Sequence, residues 1–346
     1  MKIRPLFCVN GGTSIGFGHV SRTLSLINQY KRNNHVAFTL TLKSNVYSEK
    51  LKLKSDKLLQ ITSFNDPNGL QEAFNFISKN EINCIIVDLV ESDFKQLSAL
   101  RILLPDIFIV SITLFYFDEV IRFEDLSFFP SFNPIDFKVI RNDRKKLKVY
   151  SGKDYLVFSD KFKEYSSEDI VPTYDILITM GGTDPFGITV KAVKALQSSS
   201  YKVGIILSGK SEHFHQVQEL IKGKSNFVLI EFSNDLPLLM RQSRVLLLNG
   251  GITRYEACLA KRPFIAISIH DLQYSITENL TNLGVGVNLG VHSNLETEAI
   301  SQSVHELISM PNLYNEMVEN MSNILDDFGS ERIYHIIKRE FNEKNN

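Results

Sequence analysis

Short apolar runs recur along the chain, separated by stretches in which apolar positions return every three or four residues. In the first half, residues 6–9, 36–42, 84–87 and 107–112 are apolar at nearly every position, which predicts strands buried on both faces. Residues 176–180, 203–207, 227–230, 245–248 and 264–267 repeat the pattern in the second half. The stretches between them carry helical spacing, as in Val20, Leu24 and Ile27. Strands alternating with helices predict parallel sheets, and the repetition predicts two Rossmann-like, doubly wound α/β domains. A charged stretch at 143–148 and a polar one at 164–172 ending in Pro172 set the expected crossover near residues 165–173. The expected division is therefore 1–165, 173–325 and a helical tail, 326–346. Ile333, Ile336, Ile337 and Phe341 give that tail an apolar face that would pack back on the first domain. The aromatic residues at 115–117 and 128–132 read as a loop covering the core.

Three glycine pairs follow directly on predicted strands. The first opens the run Asn10-Gly-Gly-Thr-Ser-Ile-Gly-Phe-Gly-His19-Val-Ser-Arg22, a turn that delivers backbone N–H groups to a helix N-terminus and so suits an anion such as phosphate. Gly11, Gly12, Gly16 and Gly18 are read as positions of positive φ or close approach, and His19 as a general base or phosphate contact. The others are Gly181-Gly182-Thr183 and Asn249-Gly250-Gly251. All three fall at strand C-terminal ends, where open α/β sheets bind ligands, so two such sheets facing one another predict a single interdomain cleft. No Gly-Lys-Ser/Thr follows and the dinucleotide fingerprint is not met, which disfavours a nucleotide kinase or a dehydrogenase.

Thr253 and Glu256 have the spacing of a helix N-cap and capping box, and Glu256 is also placed to accept hydrogen bonds from ribose hydroxyls. Gln273 opens a helix from which it would reach a sugar hydroxyl. Asp88 and Asp184, each at a strand end, are read as turn or cap residues, with Asp184 also a candidate ligand contact. His213 and His215, two apart on a predicted helix, point in different directions and are expected at the surface and not around a metal.

Composition narrows the field further. At 346 residues, 43% hydrophobic, 22% charged and with a net charge of −1, the chain has no bias toward nucleic acid or other polyanions. No apolar run reaches the roughly 20 residues of a membrane span, and the first residues lack a signal-peptide pattern, so stable membrane insertion is not expected and the cytoplasm is. Cys8, Cys84 and Cys258 are far apart and fit structural thiols.

Taken together, residues 15–22 (IGFGHVSR), 151–162 (SGKDYLVFSDKF), 180–185 (MGGTDP), 249–257 (NGGITRYEA) and 271–273 (DLQ) resemble, in this order, the UDP-sugar hydrolases of the pseudaminic acid pathway and their spore coat polysaccharide relatives. The resemblance runs over residues 2–286 and implies the two-domain glycosyltransferase B (GT-B) fold. It implies that His19 is the catalytic histidine that orients or activates water, with Gly16, Gly18 and Arg22 around the diphosphate and sugar. Gly181, Gly182, Thr183 and Asp184, with Asn249, Gly250, Gly251, Thr253, Glu256 and Gln273, would hold the UDP-sugar from the second domain. Neither a metal nor a cofactor is implied, and the products would be UDP and a free 2,4-diacetamido-2,4,6-trideoxy sugar. The chain departs from the family pattern at Asn10, where an aspartate is usual, at residues 110–113, where two aspartates are usual, and at Ser159, where an arginine is usual. A glycosyltransferase of the same fold, using a UDP-sugar donor for surface polysaccharide or glycolipid, stays open as the alternative.

Overall fold

The computed structural model describes residues 2–12, 17–113, 122–133, 147–166, 168–181, 184–231 and 235–345. They form two compact units, one of residues 1–159 and 327–346 and one of residues 160–326. The chain passes from one to the other earlier than the expected 165–173 crossover. The helix Lys161–Tyr165 belongs to the second unit because Asp235 there holds the Lys161 ammonium and accepts from the Tyr165 hydroxyl at 2.8 Å.

Unit 1 is built on a parallel sheet of β1 (Pro5–Val9), β2 (Phe38–Leu42), β3 (Lys57–Ile61), β4 (Cys84–Asp88), β5 (Phe108–Ile112), β6 (Leu126–Phe129) and β7 (Lys148–Ser151), in the order β3-β2-β1-β4-β5-β6-β7. Its strands are apolar on both faces because both are covered. Leu6, Cys8, Ile85 and Val87 pack toward Phe94, Leu97 and Leu100. Phe7, Cys84, Ile86 and Val110 pack toward Leu26, Ile27 and Tyr30, and toward Ile333, Tyr334, Ile337 and Phe341 of the helix Gly329–Asn345. Leu126–Phe129, expected in a covering loop, is a fully buried strand between β5 and β7. The aromatic residues 115–117 lie outside the described residues.

Unit 2 repeats the plan with β8 (Tyr174–Thr179), β9 (Val203–Ile206), β10 (Phe227–Ile230), β11 (Ser243–Asn249), β12 (Phe264–Ser268) and β13 (Gly286–Val291), all parallel, in the order β10-β9-β8-β11-β12-β13. Each sheet therefore reverses its winding once, between β1 and β4 and between β8 and β11. The carboxyl ends of strands at such a reversal form the crevice in which open α/β sheets bind ligands. Cys8, Cys84 and Cys258 are buried free thiols.

Candidate functional site

At the unit 1 reversal, β1 ends at Val9, Asn10 follows it, and the helix Gly18–Arg32 begins eight residues after Asn10. Gly16 lies outside the described residues. None of Gly11, Gly12 and Gly18 takes a positive φ, contrary to one reading of the glycine run. Gly11 is required by close approach instead, since a Cβ there would stand 2.8 Å from Val20 Cγ2 and 2.9 Å from the Tyr47 ring. Asn10 braces the turn, its Oδ1 accepting from the Gly11 N–H at 2.9 Å while its Nδ2 donates to Asp93 at 3.1 Å.

His19, in the first turn of that helix, points its Nδ1 at the Asp88 carboxylate, 2.6 Å away at the end of β4. Its side chain is 16% exposed, and its Nε2 makes no hydrogen bond among the described residues. Arg22, expected around the diphosphate, is buried and donates to both Asp88 oxygens, from Nε at 2.9 Å and Nη2 at 2.8 Å. Two of its three nitrogens are thus committed to Asp88. Asp88, read from sequence as a turn residue, is the member of this cluster that sequence reasoning missed. The only signal was its place at the end of a strand that the doubly wound topology sets beside β1.

The unit 2 reversal gathers most of the remaining predicted residues. Asn249 ends β11 and donates from Nδ2 to the Met180 carbonyl at 3.0 Å, while its Oδ1 accepts from the Gly251 N–H at 3.1 Å. Gly181 sits against it at φ +89°, a conformation that favours glycine. Gly250 lies under Gln273, Thr277 and Ser268: a Cβ would be 2.7 Å from Gln273 Cγ, 2.8 Å from Thr277 Oγ1 and 2.9 Å from Ser268 Oγ. Gln273 accepts at Oε1 from the Ile269 N–H at 2.8 Å, and its two amide hydrogens have no partner among the described residues. Arg254 fixes the loop from behind by donating to the Gly251 carbonyl at 3.0 Å. Gly182 and Thr183 lie outside the described residues.

Two expectations are corrected here. Thr253 is the first residue of the helix Thr253–Ala260 and not its N-cap, which is Ile252, and that terminus has no side-chain cap bond, so there is no capping box. Glu256, one turn in and half-buried, has no hydrogen-bond partner among the described residues, and burial pushes its carboxyl up to about 7. Asp184 takes the capping role read for it. It adopts a left-handed φ of +43°, is buried, and accepts from the N–H groups of Ile188 at 3.0 Å and Thr189 at 2.6 Å. Its carboxylate thus serves the start of the helix Ile188–Leu196, as the cap reading expects. His213, expected at the surface, is half-buried against Gly187, whereas His215 is exposed. Among the described residues, no group of three or more His, Cys, Asp or Glu side chains is arranged to hold a metal, and no helix is long and apolar enough to cross a membrane.

Two parallel-sheet Rossmann-like units with these strand orders define the GT-B fold. The chain aligns over 98% of its length with all of MurG from Acinetobacter baumannii, at a TM-score of 0.67 and 14% identity. It aligns over 97% of its length with all of Anabaena HepE, solved in complex with UDP and glucose, at 0.65 and 13%. In sequence it is similar to the spore coat polysaccharide biosynthesis protein SpsG of Bacillus subtilis, 24% identical over 198 residues that cover 55% of this chain and 58% of that protein. It is also similar to the UDP-2,4-diacetamido-2,4,6-trideoxy-beta-L-altropyranose hydrolase of Campylobacter jejuni, 23% identical over 292 residues that cover 82% of this chain and 98% of that protein. The chain thus spans less than two thirds of SpsG and nearly all of the hydrolase. No protein-family model matches the chain.

Proposed function

We propose that the protein is a nucleotide-sugar hydrolase that releases UDP from a UDP-linked acetamido-deoxy sugar used in nonulosonic acid or surface polysaccharide synthesis. The observation that carries this reading is the unit 2 site. Two strand-end loops are tied together by Asn249, Gln273 keeps two amide donors without a partner among the described residues, and the partnerless Glu256 carboxylate lies one turn into the helix that follows. Backbone N–H groups of the Gly181 and Gly250 loops would take the diphosphate, Glu256 the ribose hydroxyls and Gln273 an acceptor oxygen of the sugar. Similarity to a UDP-sugar hydrolase over most of both chains supports the same reading.

In the reaction, water attacks the anomeric carbon, a new C–O bond forms, and the bond from that carbon to the diphosphate oxygen breaks with its electron pair leaving on UDP. His19 Nε2 takes the proton from the attacking water. Negative charge developing on the leaving diphosphate is stabilised by fixed donors in the loops, so no metal is needed. A second reading, a glycosyltransferase in which a sugar or lipid-linked hydroxyl replaces water, is favoured by Asn10, which stands where hydrolases of the family usually carry an aspartate.

The test is UDP release from a panel of UDP-sugars, the 2,4-diacetamido-trideoxy sugar among them, in EDTA and without an acceptor. Steady release that His19→Ala abolishes is the expected result. Tight UDP binding with no release, restored by adding an acceptor, replaces the hydrolase with the transferase.

A further inference from the structure

Asp88 and Arg22 are the parts of the unit 1 site that the proposed reaction does not itself use. Asp88 is 1% exposed and Arg22 4%, so the ion pair is sealed inside the protein. Arg22 stands three residues after His19, which puts both side chains on one face of the helix. Its guanidinium meets the carboxylate at two points, Nε to Oδ2 and Nη2 to Oδ1, and the imidazole Nδ1 reaches the same Oδ1 from the other side.

These contacts fix where the imidazole proton sits. An ionised carboxylate has only acceptors, so the hydrogen between Nδ1 and Oδ1 belongs to Nδ1, and Nε2 carries the lone pair. Arg22 Nη2 lies 3.1 Å from Nδ1, but both are donors converging on Oδ1 and do not bond to each other. The opposite tautomer would need a protonated Asp88. Burial pushes that carboxyl up, but the charges and hydrogen bonds of Arg22 and His19 outweigh burial and hold it below its ordinary value.

We infer that Asp88 and Arg22 are positioning residues: Arg22 clamps Asp88, and Asp88 holds His19 as the Nδ1–H tautomer with its Nε2 lone pair turned to the attacking hydroxyl. The inference rests on the reading of His19 as the base. It gives the histidine-x-x-arginine spacing at residues 19–22 a physical reason and removes Arg22 from the set of phosphate ligands. When Nε2 takes a proton, the positive charge on the ring faces the Asp88 carboxylate, whose own charge Arg22 keeps in place.

The decisive measurement is the nitrogen NMR signature of His19 in protein labelled with 15N-histidine, assigned by its loss in His19→Gln. At a pH where the ring is neutral, the wild type shows Nδ1 protonated and Nε2 unprotonated. A dominant Nε2–H form overturns the proposal and requires no variant to do so. Asp88→Asn is expected to populate the Nε2–H form and to lower kcat by about 10³-fold or more, with KM much less affected. Arg22→Gln is expected to lower kcat while changing UDP affinity by less than about twofold, whereas a tenfold loss of UDP affinity would return Arg22 to the diphosphate and overturn the clamp. If His19→Ala abolishes turnover while Asp88→Asn keeps both tautomer and kcat, the positioning role fails and the base reading stands. If His19→Ala keeps full turnover, the base reading fails, and with it the inference built on it.

Discussion

The Asn249 side chain spans the reversal of the second sheet, from the end of β11 to the Met180 carbonyl at the end of β8, 3.0 Å away. A single carboxamide thus joins two loops that lie 69 residues apart in sequence. Its oxygen holds the Gly251 N–H at the same time, so the amide cannot turn over without losing both contacts. Asn249→Asp would set a carboxylate oxygen against the Met180 carbonyl. We expect it to lower stability by about 1–3 kcal/mol and to weaken UDP binding at least tenfold by calorimetry. Unchanged UDP affinity in a folded variant would show that the bridge does not shape the ligand site.

Gly250 and Gly209 make a paired test. A Cβ at Gly250 collides with Gln273, Thr277 and Ser268, whereas one at Gly209, in the same unit, meets nothing within 4 Å. Gly250→Ala is therefore expected to cost about 1–3 kcal/mol in denaturant unfolding and to displace Gln273. Gly209→Ala should leave both stability and UDP affinity as they are. Equal behaviour of the two variants would rule out steric close approach as the reason for Gly250.

The central strands were legible because they are apolar on both faces, and that pattern arises only where helices cover both sides of a sheet. β3, β7 and β13 escaped because these edge strands lack a continuous apolar run, unlike the edge strand β10: β3 begins with the exposed Lys57, β7 with the exposed Lys148, and β13 carries Gly286 and Gly290 and is half-buried throughout. β6 was hidden by its aromatic surroundings, which suggest a loop until Leu126 and Phe128 are paired with β5. In the site, the glycine loops and His19 stand out in the sequence because their signal is local. The role of Asp88 depends on β1 pairing with β4, and those of Arg22 and Asp184 depend on which buried partners they find. Sequence shows a charge but not the buried group that meets it.

Asp184 offers a check on its capping role. Its two oxygens accept from successive N–H groups at the start of the helix Ile188–Leu196, and its backbone is left-handed. Asp184→Ala loses both acceptors while keeping a strained φ, and we expect about 1–2 kcal/mol of destabilisation in thermal or urea unfolding. Asp184→Asn keeps one acceptor and should fall between the wild type and the alanine variant. Should Asp184→Ala weaken UDP binding tenfold with no loss of stability, the carboxylate would be a ligand contact after all.

Glu256 makes both stability and ligand binding depend on pH, in opposite directions. Burial raises its carboxyl in the folded protein from an ordinary 4.5 to about 7. Between those values the folded state keeps a proton that the unfolded state has released, so stability is highest near pH 4.5, falls as pH rises toward 7, and is flat above. The contribution is about 2 kcal/mol after allowance for partial exposure. Ribose hydroxyls need the carboxylate as an acceptor, so binding must drive the proton off, and UDP affinity should rise as pH increases toward 7 and level off beyond it. UDP's own terminal phosphate also titrates in this range, and comparison with Glu256→Gln isolates the protein's share. That variant should lose the stability slope and bind UDP more weakly at pH 8, by about 1–3 kcal/mol, the scale of a lost hydrogen bond to a charged group. Calorimetry in two buffers of different ionisation heat at pH 6 should detect proton release on UDP binding in the wild type in excess of that in Glu256→Gln. Equal release from both proteins would mean that Glu256 does not contact the nucleotide.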